Sequence, residues 1–147
     1  MGMDILQLVF KDGEIPMDPA SGAYYGGAPA AIGANGAALA VIDAAKFIGV
    51  FKNSSYEDAQ NGNCTIVYGG KIVLLNGSNQ IDSVVNGVTV EGAAYNTALT
   101  YNAGDYLYIT VTSGLWTNVA GTVPRGIVIS PASGTNGNME AYMFMTK

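Results

Sequence analysis

The chain of 147 residues contains no histidine and only one cysteine. Histidine is the most frequent general base in enzymes and a common zinc ligand, so its absence excludes Ser-His-Asp and Cys-His sites and most zinc centres. The one cysteine, Cys64, has no disulfide partner within the chain. It lies in a strand-like run, where we expect a small buried apolar residue. No catalytic, cofactor-binding or metal-binding residue is predicted, and we do not expect an enzyme.

Charged residues are also scarce. They make up 12% of the chain, about half of the roughly 25% that is usual in globular proteins. The 6 basic residues are scattered and the net charge is −5, so we expect no nucleic-acid partner. With so few ions, part of the surface must be apolar or neutral, which is typical of surfaces that contact other proteins. We therefore expect a homo-oligomer.

The sequence has no segment typical of secretion or of a membrane span. Its first ten residues lack the basic start and the long apolar core of a signal peptide. No charged residue lies between Pro19 and Ile42, but Pro29 and several glycines interrupt this stretch and its large apolar side chains are few. We therefore expect no membrane partner and no passage through the general secretory route.

Carboxylates are the remaining candidates for chemistry, at two places in the chain. Asp58 lies close to Glu57, Asn61 and Asn63, as in an oxygen-rich calcium loop, but the alternating spacing of calcium ligands is missing, which favours a turn. Asp105 has two interpretations: it is one member of a glycosidase carboxylate pair, or it starts a strand and accepts bonds from local backbone amides. The second interpretation is favoured.

Short β-branched and aromatic runs, separated by turn dipeptides, dominate the chain from Lys46 onward. Asn-Gly and Gly-Gly favour two-residue hairpin turns because both residues tolerate a positive φ. The pattern predicts a single compact all-β domain of about eight or nine strands with few helices. Two hairpins are predicted: Gly69-Gly70 between Cys64–Tyr68 and Lys71–Leu75, and Asn86-Gly87 between Val84-Val85 and Val88–Val90.

Alternation of apolar and polar residues is clearest in Tyr106–Thr112. One face of this predicted strand is aliphatic and is expected to point into the core. The other face carries tyrosine and threonine, which suits a half-buried surface or a subunit contact. The aliphatic residues are Leu107, Ile109 and Val111, and the tyrosines are Tyr106 and Tyr108; in the last predicted strand, Tyr142 and Phe144 likewise share one side.

Residues 1–45 differ in composition from the rest of the chain. Residues 4–10 are apolar at nearly every position and indicate a first strand or an extended arm. Residues 20–45 are rich in glycine and alanine, which leaves two interpretations. The segment crosses the domain's own barrel, with residues 37–45 as a short helix or strand, or it is an arm that packs on a neighbouring subunit. We divide the chain into this N-terminal arm and Gly/Ala-rich segment, 1–45, and a β-barrel domain, 46–147.

The strand segments also follow a recognisable order, which runs from Phe47 to about Phe144. In chain order they are Phe47-Ile-Gly-Val, Gly62-x-x-Thr-Ile-Val with Gly69-Gly-Lys after it, Ala103-Gly-Asp-x-Leu-Tyr, a Ser113-Gly-Leu hairpin, Arg125-Gly-Ile-Val-Ile-Ser-x-Ala-Ser and a final aromatic strand. This ordered set resembles the decoration (cement) proteins of tailed-bacteriophage heads.

The resemblance implies a small β-barrel or β-tulip-like domain on the outside of a phage capsid. Such a protein bridges neighbouring copies of the major capsid protein and stabilises the shell, commonly with an N-terminal arm that adds to a strand or loop of the shell. It implies an oligomer, with a trimer as the first expectation and a dimer as the alternative, made in the host cytoplasm and located in the virion. The alternatives are another virion component, such as a head fibre or tail part, or a non-catalytic carbohydrate-binding β module.

Tyrosine and the N-terminal apolar residues supply the candidates for the interface. Tyrosine combines apolar area with a polar tip, which favours strands and protein contacts; sugar stacking is the weaker alternative. The predicted capsid or subunit interface consists of Ile5, Leu6, Leu8, Val9, Phe10, Tyr24, Tyr25, Tyr106, Tyr108 and Trp116.

Overall fold

A computed structural model describes residues 10–40, 46–74, 84–85, 88–89, 92–109, 114–132 and 137–144. These residues form eleven strands and one short helix, so the predicted all-β single domain is confirmed. The helix α1 spans Ser55–Asp58. The strands are β1 Phe10–Pro16, β2 Pro29–Gly33, β3 Gly36–Leu39, β4 Phe47–Phe51, β5 Asn63–Leu74, β6 Val84–Val85, β7 Val88–Thr89, β8 Tyr106–Ile109, β9 Trp116–Thr117, β10 Gly126–Ser130 and β11 Met139–Met143.

Nine of these strands form one antiparallel sheet that curls into a half-barrel. The order is β3-β2-β4-β5-β11-β10-β8-β9, and β1 pairs with β5 beside this path. An isolated β-bridge between Met17 and Ala37 joins the chain just after β1 to β3. This half of the sheet therefore curls far enough to bring β1 next to β3. The strands β6 and β7 form a separate hairpin, which confirms the pairing predicted around Asn86-Gly87.

The hairpin predicted at Gly69-Gly70 is wrong, because both glycines lie inside the single twelve-residue strand β5. Gly70 lies opposite both Phe10 of β1 and Met143 of β11, so β5 changes neighbours here instead of turning back. The register with β1 shifts between Lys11 and Asp12, and Gly70 has a φ of 97°. The shift leaves Tyr68 without a partner in β1, and the positive φ of Gly70 beside this bulge lets the strand bend without ending.

The glycine- and alanine-rich segment belongs to the sheet. β2 and β3 form a hairpin, and β2 also pairs with β4. Over Pro29–Leu39 the segment therefore pairs within the chain's own sheet, as the first of the two interpretations expects, and the packing of this segment on a neighbouring subunit stays a prediction. The first predicted strand, residues 4–10, falls outside the described residues except for Phe10, where β1 begins.

The sheet buries two separate cores, on opposite sides of β4 and the first half of β5. Val50 and Val67 face the first core, whereas Phe51 and Ile66 face the second. The tryptophan core contains Ala40, Phe47, Val50, Val67, Leu74, Ala94, Tyr95, Tyr101, Leu107, Ile109, Trp116, Val128, Met139, Ala141 and Met143. The alanine core contains Tyr24, Ala28, Ala30, Ala37, Phe51, Cys64 and Ile66.

Small side chains and one pair of rings make up most of the alanine core. Ala30 and Ala37 are both fully buried, and they flank a stacked pair of rings, Tyr24 and Phe51, whose centroids lie 3.5 Å apart. Gly49 has a φ of 139°, and a Cβ there would overlap the backbone of β5. The glycine and alanine content of this region thus follows from close approach of strands.

The tryptophan core is built from large side chains. Trp116 is fully buried, and its ring meets that of Phe47 edge to face at a centroid distance of 5.7 Å. The guanidinium carbon of Arg125 lies 5.1 Å from the centroid of the same Phe47 ring. Leu107 and Ile109 point into this core, which confirms the predicted aliphatic face of β8; Val111 lies outside the described residues.

Candidate functional site

The outer side of β8, β10 and β11 carries a cross-strand row of apolar side chains. Tyr106 lies opposite Ile127, and Ile127 lies opposite Tyr142. Tyr106 is 51% exposed and Tyr142 is 39% exposed. The ring of Phe144 lies 6.3 Å from that of Tyr106. We call these four residues the tyrosine face.

The surroundings of the tyrosine face are poor in charge. One ion pair lies at its edge, between Lys71 Nζ and Glu140 Oε2 at 3.4 Å, and both side chains are well exposed. Exposed aliphatic residues extend the surface: Ile129, next to a β-bulge in β10, and Val73 of β5. An apolar surface that spans three strands, β8, β10 and β11, is typical of a protein contact, because burying it removes apolar area from water.

The edges of the sheet are less accessible than this face. At β3, the Asp18 amide donates to the Ala37 carbonyl at 2.9 Å, and the Leu39 amide donates to Ser21 Oγ at 3.1 Å. At β9, the Asn96 amide donates to the Trp116 carbonyl at 2.8 Å. β1 carries three charged residues within seven, a composition that disfavours edge-to-edge pairing. The side chains of the sheet face are therefore more accessible to a partner than the backbone groups of these edge strands.

Three of the tyrosines predicted for the interface have side chains at least partly exposed. Tyr106 is on the tyrosine face. Tyr108, on the same side of β8, is half-buried, and its ring packs beside Gly121. Tyr25 is also half-buried and packs against Gly92, so it does not belong to the tyrosine face.

Two predicted interface residues are corrected to core residues. Tyr24 is 1% exposed and stacks on Phe51, and Trp116 is 0% exposed, with Nε1 donating to the Gly27 carbonyl at 2.8 Å. The sequence shows the size and amphipathic character of these rings, but it does not show whether they are buried or exposed. Phe10 begins β1, and Ile5, Leu6, Leu8 and Val9 lie outside the described residues.

A buried acid lies beside the alanine core, in α1. Asp58 Oδ2 accepts a hydrogen bond of 2.7 Å from the Tyr24 hydroxyl. Burial raises the pKa of both groups, and for Asp58 the bond from Tyr24 opposes that shift. The segment suspected of calcium binding is therefore a capped helical turn closed by a buried hydrogen bond. Among the residues that the structure describes, no three acidic or cysteine side chains gather as a metal site.

Cys64 and Asp105 occupy the positions that their sequence context predicted. Cys64 is 1% exposed, and burial raises the pKa of its thiol to about 11. Asp105 Oδ2 accepts from the Asn102 amide at 2.9 Å and from Asn118 Nδ2 at 3.0 Å, which lowers the pKa of this carboxyl. Asp105 thus stabilises a local turn, as the favoured interpretation expected.

A cleft of about 260 Å³ opens between the end of β4, the segment that follows it and the second half of β5. We call it the junction cleft. Its lining combines apolar residues with the polar residues Lys52, Asn53 and Glu57. Its lining consists of Gly26, Gly27, Val50, Phe51, Lys52, Asn53, Glu57, Val67, Ile72 and Val73.

A second cavity, of about 290 Å³, is apolar and opens into the alanine core between β1 and β2. Ile32 is exposed at its rim, and Tyr68 is half-buried within it. It is lined by Gly13, Ile15, Ile32, Ile48, Ile66 and Tyr68.

Sequence reasoning missed Ile127 as a surface residue and the whole junction cleft. Alternation placed Tyr142 and Phe144 on one side of their strand, but only the register of β8, β10 and β11 brings them next to Tyr106. No local signal marks the cleft, because its residues come from three separate parts of the chain.

No family model, curated protein or solved structure matches the chain. Within the described part of the chain, no helix has the length and apolar character that a membrane span requires.

Proposed function

We propose that this chain is a structural virion protein that binds the outside of a tailed-phage head and bridges copies of the major capsid protein. The observation that carries the proposal is the tyrosine face, a charge-poor apolar surface across β8, β10 and β11. Tyrosine is enriched at protein interfaces and charged residues are depleted at their centres, so this face suits the shell contact.

The motif order that resembles decoration proteins also supports the proposal. Phe47, Leu107 and Val128 come from three of the ordered motifs and all lie in the tryptophan core. These segments therefore pack together in one core. Phe47 and Arg125, which belong to different motifs, lie in contact through the guanidinium and the ring. The role is proposed to be non-catalytic, with the protein acting as a homo-oligomer on the capsid exterior.

The proposed contact differs in kind from the addition of an arm strand. At β3 and β9 the described edges already bond to neighbouring chain segments, and β1 is rich in charge. Side chains of the tyrosine face would therefore provide the affinity, with Tyr106 and Tyr142 as the anchors.

Three observations test the proposal. The genome that encodes this chain should also encode a major capsid protein, and mass spectrometry of purified particles should detect the chain. Cryo-electron microscopy of particles with and without it should then show density on the outer surface, between capsid protein copies. A genome without head genes, or particles that lack the protein at every stage of assembly, would contradict the proposal.

A further inference from the structure

The tyrosine face has two exposed rings with a lower aliphatic side chain between them. Tyr106 and Tyr142 both lie opposite Ile127, so the three side chains form one cross-strand row on the same side of the sheet. The rings are 51% and 39% exposed, whereas Ile127 is half-buried. Phe144 flanks the Tyr106 ring, with the two centroids 6.3 Å apart. The row therefore consists of two aromatic ridges and an aliphatic floor.

The spacing of the two ridges follows from the strand pairing. Opposite residues of antiparallel strands have Cα atoms about 5.5 Å apart in a hydrogen-bonded pair and about 4.5 Å apart in the alternate pair. Ile127 has a partner on each side, so the Cα atoms of Tyr106 and Tyr142 lie about 10 Å apart. One turn of a polyproline II helix is about 9.3 Å long, whereas a turn of α-helix is about 5.4 Å and the two-residue repeat of a strand about 6.7 Å. The ridges therefore match successive turns of a polyproline II segment that crosses the strands.

The phenol hydroxyls give a second reason for this ligand conformation. Tyr106 and Tyr142 are both exposed, so their hydroxyls can donate to a bound segment. A polyproline II helix has no internal hydrogen bonds, and its carbonyls are free to accept. An α-helix has already used its backbone carbonyls, and an added strand needs an open sheet edge. Aromatic-lined surfaces recognise proline-rich segments through this combination of ring packing and hydrogen bonds.

The charges beside the row favour an uncharged ligand. Lys71 lies opposite Tyr142 at one end of the row, and its ammonium pairs with Glu140 Oε2 at 3.4 Å. The two opposite charges offset each other, so this end attracts neither an acidic nor a basic segment strongly. The position between the ridges is the aliphatic Ile127, which suits the apolar ring of a proline.

We propose that the tyrosine face binds a proline-rich segment in the polyproline II conformation. A proline ring packs on Ile127 between the two ridges, and the hydroxyls of Tyr106 and Tyr142 donate to carbonyls of the segment. The inference rests on the proposed function for the location of this segment, which would belong to the phage shell. It adds the chemistry of the contact, and that chemistry can be tested without shells.

NMR titration of the isotope-labelled protein tests the inference. The probes are decaproline and a peptide of Pro-x-x-Pro repeats, and the controls are a Gly-Ser peptide of equal length and an alanine-rich helical peptide. We expect saturable shifts for amides of β8, β10 and β11 with the two proline peptides and none with the controls. No saturable shift with either proline peptide would overturn the inference, and so would equal shifts with a control peptide or shifts confined to another surface.

Matched variants make the titration specific. Tyr106→Ser and Tyr142→Ser should each weaken binding of the proline peptides by about fivefold or more, as expected for an interface anchor. Tyr142→Phe keeps the ridge and loses only the hydroxyl, so its loss should be smaller. The control Tyr56→Ser, in α1, should leave binding unchanged. Equal losses in the face variants and the control would contradict the inference.

Binding to capsid shells is measured separately, so the two proposals can fail independently. A protein that sediments with shells but binds neither proline peptide would overturn this inference and leave the proposed function standing. A protein that binds the proline peptides through the tyrosine face but does not attach to shells would support the inference and contradict the proposed function.

Discussion

The two cores differ in the size of the side chains that fill them and in their polarity. The tryptophan core packs Trp116, Phe47 and several large aliphatic residues, whereas the alanine core packs Ala30 and Ala37 around one stacked pair of rings. The alanine core also has the carboxyl of Asp58 at its border, bonded to Tyr24. Close approach of β4 and β5 at Gly49, where a Cβ would overlap the backbone of β5, limits the space on the alanine side at that point. The tryptophan core should therefore contribute most of the stability, and the alanine core should be the more sensitive to added volume and to pH.

Removal of the tryptophan ring should have the largest effect on stability. Trp116→Ala should lower the free energy of unfolding by about 3–5 kcal/mol, because it empties a fully buried site and leaves the Gly27 carbonyl without its donor. Urea denaturation measures the change. Trp116→Phe keeps much of the apolar area but loses the hydrogen bond, and should cost about 1–3 kcal/mol. If Trp116→Ala lowered the free energy of unfolding by less than about 1 kcal/mol, the claim that the tryptophan core contributes most of the stability would be wrong.

Added volume should damage the alanine core. Ala37→Leu should cost about 1–3 kcal/mol, because the fully buried Ala37 has no space for a larger side chain. The exposed Ala34→Leu, in the turn between β2 and β3, is the matched control and should change stability by less than about 0.5 kcal/mol. Equal effects of the two substitutions in denaturant melts would show that the alanine core is loosely packed.

The pH dependence of stability should also distinguish the alanine core from the tryptophan core. Burial raises the folded-state pKa of Asp58 above its unfolded value, and the charge of Glu57 adds to this. The folded protein therefore binds this proton more tightly than the unfolded chain does. The contribution of Asp58 to stability is fully present below the unfolded pKa and is lost as the pH rises through the folded pKa.

Asp58→Asn should remove this contribution, while its amide oxygen can still accept from the Tyr24 hydroxyl. We expect the wild type to lose stability relative to Asp58→Asn as the pH rises from the usual titration range of Asp, about 3.9, towards neutrality. Thermal melts of both proteins across this range measure the difference. A wild type that gains stability relative to the variant over the same range would reverse the sign and refute the assignment.

Local patterns predicted the strands better than their pairing. Alternation correctly placed Leu107 and Ile109 in the core, because a half-buried strand needs one apolar face. Gly69-Gly70 predicts a turn, but glycine also permits a bend inside a strand beside a bulge, and only pairing with β1 and β11 distinguishes the two. The place of the Gly/Ala-rich hairpin also depends on contacts across the sheet, which no local signal specifies.

The candidate site was predictable only in part, for the same reason. Tyr106 could be assigned to a surface from its own strand, but Tyr24 and Trp116 could not be assigned to the core. A large amphipathic ring suits both an interface and an interior, and the burial of these two depends on partners distant in sequence: Asp58 for Tyr24 and Gly27 for Trp116.

Substitutions on the tyrosine face should have the smallest effect on folding. Tyr142→Ser removes an exposed side chain from the outer side of β11, so it should change the free energy of unfolding by about 0.5 kcal/mol or less. Urea melts measure this change. A loss comparable to that of Trp116→Ala would mean that the face belongs to the folded core and not to a partner surface.

Binding of the protein to purified capsids that lack it tests the central claim most directly. The double variant Tyr106→Ser, Tyr142→Ser and the control Tyr56→Ser, in α1, are mixed with such shells, and the bound protein is measured after sedimentation. The account predicts that the control binds like the wild type, while the double variant stays folded but does not sediment with the shells. Binding of the double variant at the wild-type level would contradict the assignment of the tyrosine face as the shell contact.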